Sequence, residues 1–391
     1  PATTHISTLS LHDALPIWLP GHALPLAEFA SPDWRYGRDG TLMRLFIPSL
    51  SASDGENAEV ASKSLQLEPG QVVTLRAAVF ALASSEVTSA ERYWLGENRL
   101  PTSAAPRDEL DQLELCVRTI TRQFWDGESR GWWHSDRTQL DSCPGLIQLL
   151  MVASEVLVPY TPEVALEAKR QVKEALAGRL ETRGAGGLVS GATHGNTEQL
   201  PFLVGYLAAM AGQHQLAAAG HGQALSPDGT VPFQGGPNAD PRWGEVGTAS
   251  SGMIAGFVGG GLRYCRLFGD ERPLAALLQG LDWVHAPPRP EGVALWELQL
   301  RCADQLASAA AIRANCDAYQ LTGEQRYLEA ARLWAERGLP FCYKWQLPER
   351  EGMVWATVYS FGATHFSRPW FGRPVQWVGL EYSAVLRQLA P

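Results

Sequence analysis

The stretch LTGEQRYLEAARLWA at residues 321–335 is the strongest indication of the fold, because it predicts the end of one helix, a tight turn and the start of a second helix. A similar stretch, LFGDERPL, occupies residues 267–274, about 54 residues earlier. In both stretches a glycine ends one helix and an acid begins the next. Each second helix carries its own tryptophan, Trp283 or Trp334. A period of this length is typical of stacked helix pairs.

From about residue 108 onward, apolar residues recur at helical spacing. Residues 145–158 are apolar nearly all round, whereas residues 162–180 are amphipathic and begin with a proline. This alternation predicts an inner and an outer layer of helices. The predicted helices span residues 108–124, 145–158, 162–180, 197–213, 248–267, 272–284, 303–321, 325–337 and 378–389.

Residues 18–100 have a different pattern. Thr41, Met43, Leu45 and Ile47 occupy alternate positions, residues 72–80 are rich in β-branched residues, and Glu68-Pro69-Gly70 predicts a turn before them. We interpret this region as the surviving part of a β-sandwich. The residues from 91 to about 106 are expected to form a linker.

Residues 101–391 resemble the (α/α)6 toroids of six-hairpin glycosidases and related polysaccharide lyases, above all in the 321–335 unit. The resemblance implies a mainly α fold in which inner and outer helices alternate. Many such enzymes carry an N-terminal β-sandwich, which agrees with the interpretation of residues 18–100. The shared signature concerns architecture, so no catalytic residue is carried over from it.

Residues 1–17 do not read like a protein segment, because residues 4–17 resemble a translated sequencing adapter. We expect this leader to be an artefact and the natural N-terminus to be missing. The cellular compartment is therefore left unassigned.

The composition excludes several classes of function. The chain has 391 residues, 45% hydrophobic and 19% charged, and a net charge of −9 without a Lys/Arg run, so a nucleic-acid partner is not expected. No apolar run is long enough to span a membrane. The six cysteines form no C-x-x-C pair, and no nucleotide-binding or metalloprotease motif occurs, so neither a cofactor nor a metal is predicted. The sequence does not indicate an oligomeric state.

Four acids in the loops between helices are the candidate catalytic residues: Glu198, Asp240, Glu245 and Glu297. In a toroid, the loops that lead into inner helices converge at one mouth, and a pair of carboxylates there can hydrolyse a glycosidic bond. A structural role is the alternative for Glu198, which follows the possible N-caps Asn196 and Thr197 and would favour the helix dipole.

Aromatic, basic and polar side chains accompany these acids. Flat indole faces can stack on sugar rings, and loops of this composition usually serve binding. We therefore predict a substrate-binding set of Trp132, Trp133, His134, Asp136, His194, Asn196, Arg242, Trp243, Tyr359, His365, Arg368 and Trp370.

These residues predict a glycoside hydrolase that acts on a poly- or oligosaccharide. Two alternatives remain open. A polysaccharide lyase would use Tyr359 or His365 to move protons and Arg368 to neutralise a uronate carboxylate. A non-catalytic glycan-binding toroid would have stacking tryptophans without a carboxylate pair.

Overall fold

The computed structural model describes residues 26–30, 42–46, 68–72, 82–84, 88–97, 108–133, 140–141, 144–183, 225–236, 241–287, 289–293, 295, 299–342, 357 and 376–390. Contacts divide the chain into two units, one formed by residues 1–103 with 217–391 and the other by residues 104–216.

The described residues are mostly helical. The β-strands are β1 (Leu26–Ala30), β2 (Leu42–Phe46), β3 (Trp125–Asp126), β4 (Gly131–Trp133) and β5 (Leu140–Asp141). The α-helices are α1 (Thr88–Glu97), α2 (Glu109–Thr119), α3 (Pro144–Leu157), α4 (Pro162–Arg183), α5 (Ser251–Phe268), α6 (Leu274–Val284), α7 (Gln305–Thr322), α8 (Gln325–Gly338) and α9 (Gln376–Leu389). Short 3₁₀ turns span Pro241–Trp243 and Leu339–Phe341, and a π-helical turn spans Ile120–Phe124.

In the unit of residues 104–216, α2, α3 and α4 share one apolar core. Ile147, Leu150 and Leu157 of α3 are buried in it at helical spacing, together with Val172 of α4. The opposite face of α4 carries surface ion pairs such as Arg170–Glu174. The amphipathic character predicted for α4 is therefore confirmed. Strands β3, β4 and β5 form a small antiparallel sheet in the same unit.

In the other unit, strand β1 pairs antiparallel with β2, and Leu26 lies opposite Phe46. The strand predicted around Met43 is thus confirmed, and so is the turn after Glu68, where Gln71 N–H donates to Glu68 O over 2.9 Å. Most of the strand predicted at 72–80 lies outside the described residues.

Helix α1 corrects the sequence interpretation, which assigned residues 91–95 to a linker. Thr88, Glu91 and Trp94 recur every three residues and are buried along one helical face. Arg92 also forms an ion pair with Glu336 of α8. The helix is short and polar on average, so its apolar stripe was too narrow to stand out in the sequence.

The two repeated stretches form matching turns between helices. Gly269 after α5 and Gly323 after α7 both have the left-handed backbone, with φ of 67° and 72°. Each donates its N–H to the carbonyl four residues earlier over 2.8 Å. This is the C-terminal cap that glycine forms at low steric cost. The repeat read from the sequence is therefore a repeat of structure.

The inner helices α5 and α7 run parallel to each other. Segment 289–293 contacts both of their N-termini: Gly252 N–H donates to Glu291 O over 2.9 Å, and Val293 N–H donates to Asp304 over 2.9 Å. Towards the C-terminal ends, Arg266 of α5 pairs with Asp317 of α7 over 2.8 Å. Consecutive inner helices thus begin at the same end of the unit.

The outer helices α6 and α8 pack against this inner layer through one face each. Leu277 and Leu281 of α6, with Tyr327 and Trp334 of α8, are almost fully buried, whereas the remaining faces are exposed. Inner helix α7, by contrast, is buried along most of its length. The predicted alternation of inner and outer helices holds for these two hairpins.

Among the described residues, no helix combines the length and the apolar character needed to cross a membrane.

Candidate functional site

The loops that precede α5 and α7 meet at the N-terminal end of the inner helices. Ser250 caps α5 by accepting the N–H of Met253, and its hydroxyl donates to Gly292 O over 3.0 Å. Asp304 caps α7 by accepting the N–H of Ala307 over 2.8 Å. The two caps and the 289–293 segment fix both loops to one end of the helical layer.

The loop before α5 carries the predicted residues Trp243 and Glu245. Trp243 O accepts a hydrogen bond from Leu300 N–H over 2.8 Å, which joins this loop to the one before α7. Glu245 is exposed, so its carboxylate can reach a ligand from solvent.

Trp243 does not present a stacking surface, and the prediction that it binds a sugar ring is corrected. Its indole is 5% exposed and packs against Phe233 and Leu300. Gly236 lies so close that a Cβ there would stand 2.1 Å from Trp243 Cγ. The ring is therefore a core element that fastens the two loops together.

Trp132 is also a core residue rather than a sugar platform. It is 1% exposed, its Nε1–H donates to Gln171 Oε1 over 3.0 Å, and its ring centroid lies 5.0 Å from that of Trp125. Successive side chains of a strand point to opposite faces. Trp133 accordingly points the other way and is only half-buried, so it remains a candidate for stacking.

The turn between β3 and β4 holds Trp133 in this position. Arg130 has a backbone φ of 50°, a conformation that residues other than glycine rarely adopt. It is anchored by an ion pair with Glu181 at 2.9 Å, and its side chain lies against Gly178 of α4. The turn is thus tied to α4 through the side chain of Arg130.

A charged cluster at the inner-helix N-termini was missed by sequence reasoning. Glu291, whose side chain is 6% exposed, binds Arg289 Nε over 2.8 Å and Arg301 Nη1 over 2.7 Å. Its backbone also bonds to the first turn of α5. The sequence signal was limited to an acid two residues from one arginine and ten from another, in a loop without periodicity.

Several titratable groups inside the helical layers have shifted pKa values, among them His285 and Asp317. Burial lowers the pKa of His285, whose Nε2 lies 2.9 Å from Asn315 Oδ1. Burial likewise raises the pKa of Asp317, against the opposite effect of Arg263 and Arg266. Both groups are held by neighbouring helices, so we assign them to packing rather than to the site.

The other predicted site residues lie outside the described residues, and so does the side chain of Arg242. Their roles stay predictions: Glu198, Asp240 and Glu297 as acids, and His134, Asp136, His194, Asn196, Tyr359, His365, Arg368 and Trp370 as binding residues. In the described part of the chain, no group of three or more His, Cys, Asp or Glu residues could hold a metal ion.

Comparison with known proteins gives little guidance. No protein-family model matches the chain, and no curated protein does. Among solved structures the chain is similar to a sugar epimerase from a ruminal bacterium, with 15% identity and a TM-score of 0.38 over 71% of this chain and 81% of that one. A likeness this weak carries no argument about function.

Proposed function

We propose that the chain is a carbohydrate-active enzyme that hydrolyses glycosidic bonds with two carboxylates at the N-terminal end of its inner helices. The observation that carries the proposal is the hydrogen bond between Leu300 N–H and Trp243 O. It joins the loops that contain three of the four predicted acids, Asp240, Glu245 and Glu297.

Glu245 and Glu297 are the acids favoured by this link. Glu245 follows Trp243 by two residues and is exposed, and Glu297 precedes Leu300 by three residues in the sequence. Glycoside hydrolysis needs one carboxylic acid to protonate the leaving oxygen and one carboxylate to act as nucleophile or base. Asp240, which precedes Glu245 in the same loop, is the reserve candidate for the second role.

A separation of about 5 Å between the two carboxyl groups would give retention of configuration, and about 6.5–9.5 Å would give inversion. Within the unit of residues 104–216, Trp133 is the proposed sugar-stacking residue, because its indole is the one of the Trp132–Trp133 pair that is only half-buried. A closed (α/α)6 ring is part of the proposal, supported by the parallel inner helices of two consecutive hairpins.

The test is product analysis on a panel of neutral and acidic polysaccharides. Hydrolysis releases new reducing ends without ultraviolet absorbance, whereas β-elimination on a uronate polymer yields an unsaturated, absorbing sugar. We expect reducing ends alone. An absorbing product would replace the hydrolase with a lyase, and binding without turnover of any glycan would indicate a binding protein.

The matched variants are Glu245→Gln, Glu297→Gln and, as control, Glu271→Gln. Loss of a catalytic carboxylate should lower kcat/KM by several orders of magnitude. Glu271 is an exposed acid at the opposite end of α5, so its variant should keep wild-type activity. Wild-type rates in both Glu245→Gln and Glu297→Gln would remove these acids from the mechanism.

A further inference from the structure

We propose that Arg289 and Arg301 form a subsite for the carboxylate of an acidic sugar, a uronate residue of the glycan. This inference rests on the proposed function and names its substrate class. It starts from the Glu291 cluster, which the predicted acids and tryptophans do not include.

Glu291 holds both guanidinium groups in fixed places. Its two oxygens accept from different arginines, Oε2 from Arg289 Nε and Oε1 from Arg301 Nη1. Arg289 Nη2 also donates to Arg301 O over 3.2 Å. Because Glu291 is buried, departure of either arginine would leave one carboxylate oxygen in the interior without its charged partner.

Both arginines still face solvent. Their side chains are 34% and 47% exposed. A guanidinium has five N–H donors, and among the described residues Nε and Nη2 of Arg301 and Nη1 of Arg289 have no hydrogen-bond partner. The cluster therefore offers partly exposed guanidinium groups that Glu291 already holds in place.

The local charge favours an anion. Two guanidinium groups share the carboxylate of Glu291, and the carboxylate of Asp304 accepts the N–H groups of Ala307 and Val293. The first turn of α5 adds the positive end of a helix dipole. Arginine is suited to a planar carboxylate because its donors match the two oxygens in pairs.

The cluster also lies beside the proposed catalytic loops. Arg301 directly follows Leu300, which bonds to Trp243 O in the loop of Glu245. A uronate bound by Arg301 would thus belong to the same glycan that the acids attack.

The experiment compares binding of D-galacturonate and D-glucuronate with that of their methyl esters, by calorimetry or ligand-observed NMR. Each ester keeps the sugar ring and loses the charge. We expect at least one uronate to bind about tenfold more tightly than its ester, and the preference to weaken as salt rises. Equal binding of acid and ester, or binding of neither, would overturn the proposal.

Three variants and one control test which residues cause the preference for the uronate over its ester. Arg301→Ala should abolish the preference for the acid, Arg301→Lys should keep only part of it, and Glu291→Gln should reduce it because the guanidinium groups lose their anchor. Arg272→Ala is the control, since Arg272 pairs with Asp270 beyond the far end of α5. An unchanged preference in Arg301→Ala would contradict the subsite, even if the variant were less stable.

Two further results separate the possible ligands and the two proposals. Glucose 6-phosphate bound more tightly than both uronates would reassign the pair to phosphate and overturn the uronate proposal. Hydrolysis confined to neutral glycans, unaffected by Arg301→Ala, would overturn the subsite while the proposed hydrolase remained.

Discussion

At the scale of single residues, Trp132 and Trp133 are adjacent in the sequence but have opposite roles. Trp132→Ala should lower the free energy of unfolding of its unit by about 3–5 kcal/mol, because it removes a fully buried ring. Trp133→Ala should cost much less stability, since its ring is half-buried, but should weaken glycan binding. Denaturant unfolding and glycan binding, measured on both variants, check this pair.

The reverse pattern would contradict the assignment. A Trp132→Ala protein with wild-type stability and lost glycan binding would make Trp132 the stacking residue.

His285 gives the fold a pH dependence of known sign. Burial holds its pKa below the ordinary value of 6.5, so below about pH 6.5 the unfolded chain binds more protons than the folded one. Its contribution to stability is present above this pH and is lost as the pH falls. The groups that face it include Asp282, Arg326 and Arg337, whose effects on its pKa are smaller than that of burial.

His285→Gln removes this titration and keeps a polar side chain near Asn315. We expect the decline in unfolding free energy between pH 8 and pH 5 to be shallower in the variant than in the wild type. Urea unfolding at several pH values measures it, and an equally steep decline in the variant would contradict the account.

The position of Glu245 was easier to predict from the sequence than the surroundings of the site. Glu245 was predicted in a loop before an inner helix, and it lies there, exposed. Trp132 and Trp133 were both predicted to bind substrate, although strand alternation lets only one of them face outward. The Glu291 cluster could not be predicted, because its ion pairs join loop residues whose approach depends on the packing of α5 and α7.

At the scale of elements, the glycine caps end the inner helices. Gly323→Ala should lower the free energy of unfolding by about 1–2 kcal/mol, because an L side chain must adopt the left-handed backbone at φ of 72°. A Cβ there would contact nothing within 4 Å, so the cost is one of conformation alone.

Gly256→Ala is the matched control. Gly256 lies exposed within α5, and a Cβ there also meets nothing within 4 Å. Alanine should stabilise this helix by about 0.5–1 kcal/mol. Equal effects of the two variants in thermal unfolding would show that backbone conformation is not the cause.

Helix bounds were predicted closely wherever caps mark them. Residues 303–321 and 325–337 were predicted, and the structure has Gln305–Thr322 and Gln325–Gly338. Asp304 and Gly323 supply these boundaries by side-chain and backbone hydrogen bonds that the sequence itself indicates. Helix α1 lacks such signals and was missed.

At the scale of the whole molecule, the repeated helical hairpin is the basis for expecting distant loops at one end of the inner helices. Arg263 of α5 and Asp317 of α7 occupy equivalent positions in the two repeats. Arg263 Nε lies 3.9 Å from Asp317 Oδ2. Equivalent positions meet at the same level when inner helices are parallel and in register. The same register sets the loops before these helices side by side, which is why acids far apart in the sequence are expected at one mouth.

The number of helical hairpins in the toroid could not be predicted from the repeat, because two matching turns define how only two hairpins pack together. Closure into six depends on contacts between hairpins whose sequences do not repeat. The toroid and the sandwich at residues 18–100 therefore remain predictions.

The most direct measurement is the distance between the carboxyl groups of Glu245 and Glu297 in a crystal structure of the protein. The account predicts a separation of at most about 10 Å across an open cleft, within the range used by two-carboxylate glycosidases. A separation greater than about 15 Å, with the two acids on different surfaces, would contradict it.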